Sequence, residues 1–504
     1  LYAGRPRFRL IHHKILITMN YKVLAGFMSI MTLGACSNPE LNPDLEQVVI
    51  VEGEGDTPDY NPAVTPDFTY TIAPYAGEKA ADAESYPQGN PDLNPTENDW
   101  TNVIRVVYSG ATATVSGASE AGATATVSGA NVDLALGQAR QVRIIATGSS
   151  DQGSLRLTGS YKHLLELNDL TLTATDRPAI NDQIKKRMFL VVRGHNRLTD
   201  GADYLVSSEQ RKGCLFAEDH IILCGDGILE IQGNYRHGLV SDGYLFVNPG
   251  VTLAVTNAAK NAIHIKGSGA NNDYRGIEVT GGYIYANTSA AAGKAMKSDA
   301  RIHIRGGQLY MASSGAPAID ADGQLSSAGC IKSDMEVTVS GGKLALTSTA
   351  NGGKGITSDG NLTVSGSTLA IALSGDAEEG DLDSSVPKAL NAHGSLAITA
   401  GGLSISAIGN GSTAMSADVA MTMTGGVVYA FATNNGLKAP SAAVEGGILL
   451  CGALKNSPAA GATADPQLDV AAGSTTRLLN ADGALVGTFV WPRAFASASL
   501  LHRL

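Results

Sequence analysis

Aspartates recur at a fixed place in the second half of this chain. Asp299, Asp334, Asp359 and Asp418 each stand seven residues before a glycine-led pair, and Asp242 marks the same place in an earlier cassette. If the cassettes stack, these carboxylates form a column about 5 Å apart, a spacing at which like charges repel unless something neutralises them. Ca2+, with roughly six to eight oxygen ligands, would do so. Lys297 and Lys332, two residues before Asp299 and Asp334, could help to neutralise the column; alternatively each Asp caps its own turn by accepting backbone N–H groups. A second acidic group, Asp376, Glu378, Glu379, Asp381 and Asp383, puts five carboxylates into eight residues. It lacks the fixed spacing of an EF-hand loop, so it reads as a calcium-holding loop or as a solvated acidic one.

Aromatic and basic residues offer different chemistry. Counted from the glycine pairs, Tyr283, Tyr285 and Tyr310 take outward positions, with Tyr285 and Tyr310 neighbours on successive cassettes. Sugar rings stack on such faces, and the same pattern also serves ordinary cross-strand packing beneath an inserted loop such as 268–276. Arg301, His303 and Arg305 alternate outward on one strand, where they could pair with uronate carboxylates or face solvent.

The elements that must position these residues are read from the repeat itself. Glycine pairs fall at 281–282, 306–307, 341–342, 401–402, 425–426 and 446–447, with Gly366-Ser367 in the slot between 341 and 401. The gaps are close to 25 or 35, so two cassettes carry inserts of about ten residues on a solenoid period. Apolar residues alternate on both sides of each pair: Ile302 and Ile304 before one, Leu309 and Met311 after it. A period of two, rich in Thr, Val and Ile and broken by Gly, is the rhythm of half-buried strands. The expected fold is all-β: a right-handed parallel β-helix over 155–452, with β caps at 101–154 and 453–504 and glycine pairs at the corners.

The N-terminal part reads differently. Residues 1–18 precede the expected start at Met19, and 19–36 have the basic, apolar and small-residue segments of a secretory signal. Cys36 resembles the lipidated cysteine of a bacterial lipobox. Residues 37–100 hold 14 of 47 acidic residues, 9 of 18 prolines and a single basic residue, Lys79, which predicts an extended acidic tether. The remaining chain is nearly neutral, which argues against nucleic acid or an anionic membrane surface as partner. Four further cysteines, Cys214, Cys224, Cys330 and Cys451, allow three pairings and lack zinc-ligand spacing. As single residues in strand ladders they read as small buried apolar groups.

The stretch from Gly233 through Asn234, Tyr235, Arg236 and His237 to Asp242, then 261–267 and the Gly-Gly cassettes, resembles a family of secreted bacterial carbohydrate-binding proteins. The likeness extends upstream through 168–172 and 196–201 and downstream through 479–495. It implies a pectate-lyase-like shape, associated calcium, and binding of cellulose-like and acidic plant polysaccharides without established catalysis. Gly366-Ser367 and Asn391-Ala392-His393 depart from the repeat, which weakens the case for an equivalent metal ligand in every cassette. The expectation is a monomeric lipoprotein, anchored to the outer membrane through lipid on Cys36 and exposed at the surface. It binds polysaccharide without catalysis, with Ca2+ as the candidate cofactor. Two other readings stay open: a calcium-dependent polysaccharide lyase, and a structural or adhesive surface rod.

Overall fold

The computed structural model describes residues 49–53, 86–267, 276–320, 323–380, 384–452 and short strands between 459 and 503. The signal segment, Cys36, the cover loop 268–275 and the carboxylates Asp381 and Asp383 lie outside these residues.

Alternation dictates which side chains go inside. On one parallel ladder Ile277, Ile302, Val337, Leu362, Leu396 and Met421 pair in register, and all are buried. On a second ladder Leu253, Ile284, Leu309, Leu344 and Leu369 do the same. A 13-stranded sheet, from Thr124–Ser128 at one edge to Asn435–Lys438 at the other, forms a further wall. The apolar faces of all three meet in one continuous core.

The two ladders are not independent faces. His163–Thr173 pairs through its first half with Met188–Arg193 and through its second with His195–Thr199, so one strand joins both ladders. Leu362–Leu373 joins them again further along, pairing with Val337–Val339 and with Lys343–Ser348. The result is a closed 14-strand parallel ring. The expectation of a simple right-handed parallel β-helix with a cap at each end is therefore corrected: the architecture is a closed all-β barrel with additional sheets. The physical reason lies at the corners. Where the sequence reading separates two strands at a turn, a 12-residue strand such as Leu362–Leu373 runs straight through with a register shift. In His163–Thr173 the passage is made by Asp169, which adopts a left-handed conformation (φ 51°) that Asp tolerates better than most residues.

The glycine pairs have two distinct causes. A Cβ on Gly306 would lie 2.6 Å from the Thr280 carbonyl oxygen of the neighbouring cassette, whereas Gly307 needs glycine for its φ of +87°. At Gly366-Ser367 the first residue carries the positive φ, +154°, so the second is free to be serine.

The acidic segment 37–100 is not solvated to its end. Leu93 is 1% exposed and packs with Tyr86 and Trp100 over an outer apolar patch of Leu164, Phe189, Ile222 and Phe246. Trp100 meets Phe189 edge-on at 5.6 Å, and Arg187 holds Asp92 at 2.7 Å. The extended tether of the sequence reading is thus corrected for 86–100, because three apolar side chains there find a matching surface. Near the other end, Phe495–Arg503 runs antiparallel along Ala442–Gly452.

Candidate functional site

Alternation along Tyr283–Thr288 and Gln308–Ser313 sends Ile284 and Leu309 inward and the tyrosines outward. Tyr285 and Tyr310 are register partners with rings 5.0 Å apart and 11° from parallel. Tyr283 meets Tyr285 edge-on at 6.1 Å. Tyr285 is only 5% exposed, so it supports the cluster from within, while Tyr283 and Tyr310 stay half-buried and offer the accessible ring surface. Burial raises the Tyr310 hydroxyl pKa, which keeps it a neutral hydrogen-bonding group.

Arg301, His303 and Arg305 lie on the adjoining ladder, beyond the Gly306-Gly307 corner. His303 and Arg305 gather around a residue the sequence reading missed. Glu278, outward yet 3% exposed, pairs with Arg305 and lies 3.6 Å from His303 Nδ1. Burial is the main reason the His303 pKa is lowered. His303 Nε2 lies 3.0 Å from the Ser340 hydroxyl, and buried Arg301 Nε has no hydrogen-bond partner among the described residues. Glu278 was legible: like His303, it stands three residues before its glycine pair.

The aspartate column forms, and what neutralises it is protein. Asp242 pairs with Lys212 and Lys266. Further along, Asp299 is 3.0 Å from His264 and 2.6 Å from Lys297, and Lys297 reaches Asp334 at 3.0 Å. Lys332 bridges Asp334 to Asp359, and His393 bridges Asp359 to Asp418, the last at 3.1 Å. Burial opposes the charged form of Asp299, but hydrogen bonds from His264 and Lys297 outweigh it and hold this carboxyl well below the usual range. Turn capping falls to the preceding serines instead: Ser298 accepts from Ala300 N at 3.1 Å and Ser333 from Met335 N at 3.0 Å. The column does not fit a calcium ion, since ammonium and imidazole groups fill the spaces between its carboxylates. Among the described residues no three His, Cys, Asp or Glu side chains are placed to hold a metal.

The two inserts are short hairpins, Ala318–Ile319 with Leu325–Ser326 and Glu378–Glu379 with Ser384–Ser385. Each is pinned by a lysine ammonium: Lys294 donates to the Ala292 and Ser327 carbonyls at 2.6 and 2.7 Å, and Lys354 donates to the Val386 carbonyl and Ser385 hydroxyl at 2.8 Å. Within the acidic insert, Asp376 accepts from Asn410 N at 2.7 Å and Glu378 from Asn351 at 2.9 Å, while Glu379 is exposed. All four cysteines are buried and free.

Residues 143–377 match the model of a family described as carbohydrate-binding domain-containing protein. The resemblance read from the sequence is borne out over that stretch. All six candidate glycan-contacting residues, Tyr283 to Tyr310, fall inside this carbohydrate-binding match, and Asp418 lies beyond it. Among solved structures the chain is similar to a polysaccharide lyase-like protein from C. thermocellum, solved as a gadolinium derivative. The identity is 17% and the TM-score 0.40, over 52% of this chain and 96% of the other. No curated protein matches the chain.

Proposed function

We propose that this protein binds polysaccharide through the Tyr283–Tyr285–Tyr310 cluster without cleaving it. The observation that carries this reading is the ordered aromatic surface inside a stretch that matches a carbohydrate-binding family. Sugar rings present C–H faces that pack on aromatic rings, and Tyr285, held between its neighbours, keeps the Tyr310 ring in place without loss of side-chain entropy on binding. Across the corner, Arg305 and Arg301 provide guanidinium donors for sugar hydroxyls or carboxylates. Glu278 is held by the Arg305 guanidinium and lies beside the His303 imidazole, so the one buried carboxylate of this cluster is not free to abstract a proton, and that favours binding over a lyase reaction.

Calcium dependence is part of the proposal only for the acidic insert around Asp376, Glu378 and Glu379. Export and lipid attachment at Cys36 rest on the sequence of 19–36.

Retention of the full chain on cellulose and on polygalacturonate, with and without a chelator, tests the reading. The expected result is retention without unsaturated product, and Tyr310→Ala weakens it about tenfold, or about 1.4 kcal/mol, with unchanged melting temperature. Unsaturated product would establish a lyase. Absence of retention on every polysaccharide, or an unaltered Tyr310→Ala, would remove the binding role of this surface.

A further inference from the structure

A second aromatic surface sits where the tyrosine-bearing ladder turns into the 13-stranded sheet. The Tyr204 and Tyr235 rings stack with centroids 4.0 Å apart and planes 19° from parallel. Both are held by one carboxylate: Asp200, 1% exposed, accepts from the Tyr204 hydroxyl and from Asn234 N at 2.5 Å. Asn234 Nδ2 in turn donates to the Asp200 carbonyl at 2.8 Å. One face of the Tyr235 ring is therefore covered by Tyr204, yet the residue remains 38% exposed. Such a side chain gains nothing for the core.

The next turn stacks directly on this one. Ala259 N donates to the Gly233 carbonyl at 2.8 Å, and Asn261 N to His237 Nδ1 at 3.2 Å, which brings Lys260 into line with Arg236. Both cations are exposed, and neither has a carboxylate at ion-pair distance among the described residues. This sets them apart from the lysines of the aspartate column, every one of which is paired. Burial lowers the pKa of Lys260, and the Arg236 charge lowers it further, so the two sense each other.

We propose that Tyr235, Arg236 and Lys260 form a second glycan subsite that takes an anionic sugar ring, a uronate, with Tyr204 and Asp200 as positioning residues. The ring packs its C–H face on Tyr235, and its carboxylate meets the guanidinium in bidentate fashion with the ammonium alongside. A neutral sugar has no group to satisfy the cations, so the subsite discriminates by charge. This inference rests on the reading of the protein as a polysaccharide binder.

Calorimetric titration of the full chain with trigalacturonate, and with cellotriose as the neutral probe, tests it. Tyr235→Ala and the double variant Arg236→Gln/Lys260→Gln are each expected to weaken trigalacturonate about tenfold and leave cellotriose unchanged. Tyr235→Phe keeps the ring and is expected to bind as the parent does, which separates loss of the surface from loss of the fold. Unchanged trigalacturonate affinity in both variants, or an equal loss for cellotriose, would overturn the subsite. A parent chain that binds cellotriose alone removes this subsite and leaves the proposed function standing, whereas one that binds neither probe removes both.

Discussion

Asp200 makes the stability of the fold depend on pH through a single buried carboxyl. Burial raises its pKa to about 6, with hydrogen bonds from Tyr204 and Asn234 offsetting part of the shift. In the unfolded chain the value is about 3.9. The folded state therefore holds the proton more tightly, so the stability from this group is fully present below about pH 4 and lost as pH rises through about 6. Asp200→Asn keeps the acceptor and removes the titration. The parent's denaturant midpoint should fall between pH 4.5 and 7 by the equivalent of about 2 kcal/mol more than the variant's. An identical pH dependence in both would show that Asp200 is charged at no cost. At this scale the sequence was partly legible. Register counted from the glycine pairs placed Tyr285 against Tyr310, but it could not show that Tyr285 is covered, because coverage depends on neighbours far apart in sequence. Tyr235 stood out only as part of the family-like stretch, and its stacking on Tyr204 escaped notice for the same reason, since their contact spans a whole cassette.

At the scale of elements, the aspartate column was visible as a period, while what neutralises it stayed open between calcium, lysine and turn capping. Lys297 and Lys332 lie two residues before Asp299 and Asp334, on the same face of the same strand, and each also reaches the aspartate one cassette on. Stacking thus turns a pair into a ladder of alternating charge, a network in which each ion has two partners. Removing one cation leaves two carboxylates facing each other. Lys297→Met is expected to destabilise the fold by about 1 kcal/mol, a value discounted for partial exposure. The loss should shrink at high salt, as screening replaces the missing charge, and Asp334→Asn in the same chain should restore part of it. Urea unfolding at low and high ionic strength measures both effects; a salt-independent loss would assign Lys297 a packing role instead. The strands themselves were legible because alternation is local. The closure of two ladders into a ring was not, since it turns on whether the chain breaks at a corner or runs through it, and both Gly401-Gly402, inside the continuous strand Leu396–Ala407, and Gly306-Gly307, between two strands, satisfy the same sequence pattern.

At the scale of the whole molecule, interactive surfaces are distributed unevenly around the barrel. One outer face is covered by 86–100, which buries Phe189 and Ile222 completely and removes an apolar patch that would otherwise invite association. The adjoining faces keep tyrosines exposed or half-exposed, together with the cations Arg236 and Lys260, which have no ion-pair partner among the described residues. That asymmetry fits a binder that approaches an extended polymer from one side.

Ring closure also determines how this chain can change length. Each cassette delivers one strand to each ladder, so the hoop between His163–Thr173 and Leu362–Leu373 tolerates only whole units. Excising residues 337–361 would bring Leu362 against Ile302 and Thr368 against Gln308, the positions that Val337 and Lys343 now fill. Such a shortened chain should still melt cooperatively, whereas removal of 337–348 alone, which takes both ring strands and leaves the rest of the cassette, should not. Scanning calorimetry of the two deletions would distinguish them. Short hairpins can be added outside the ring, but among the ring strands themselves growth or loss by complete modules, never by fractions, is the only editing that this closed sheet permits.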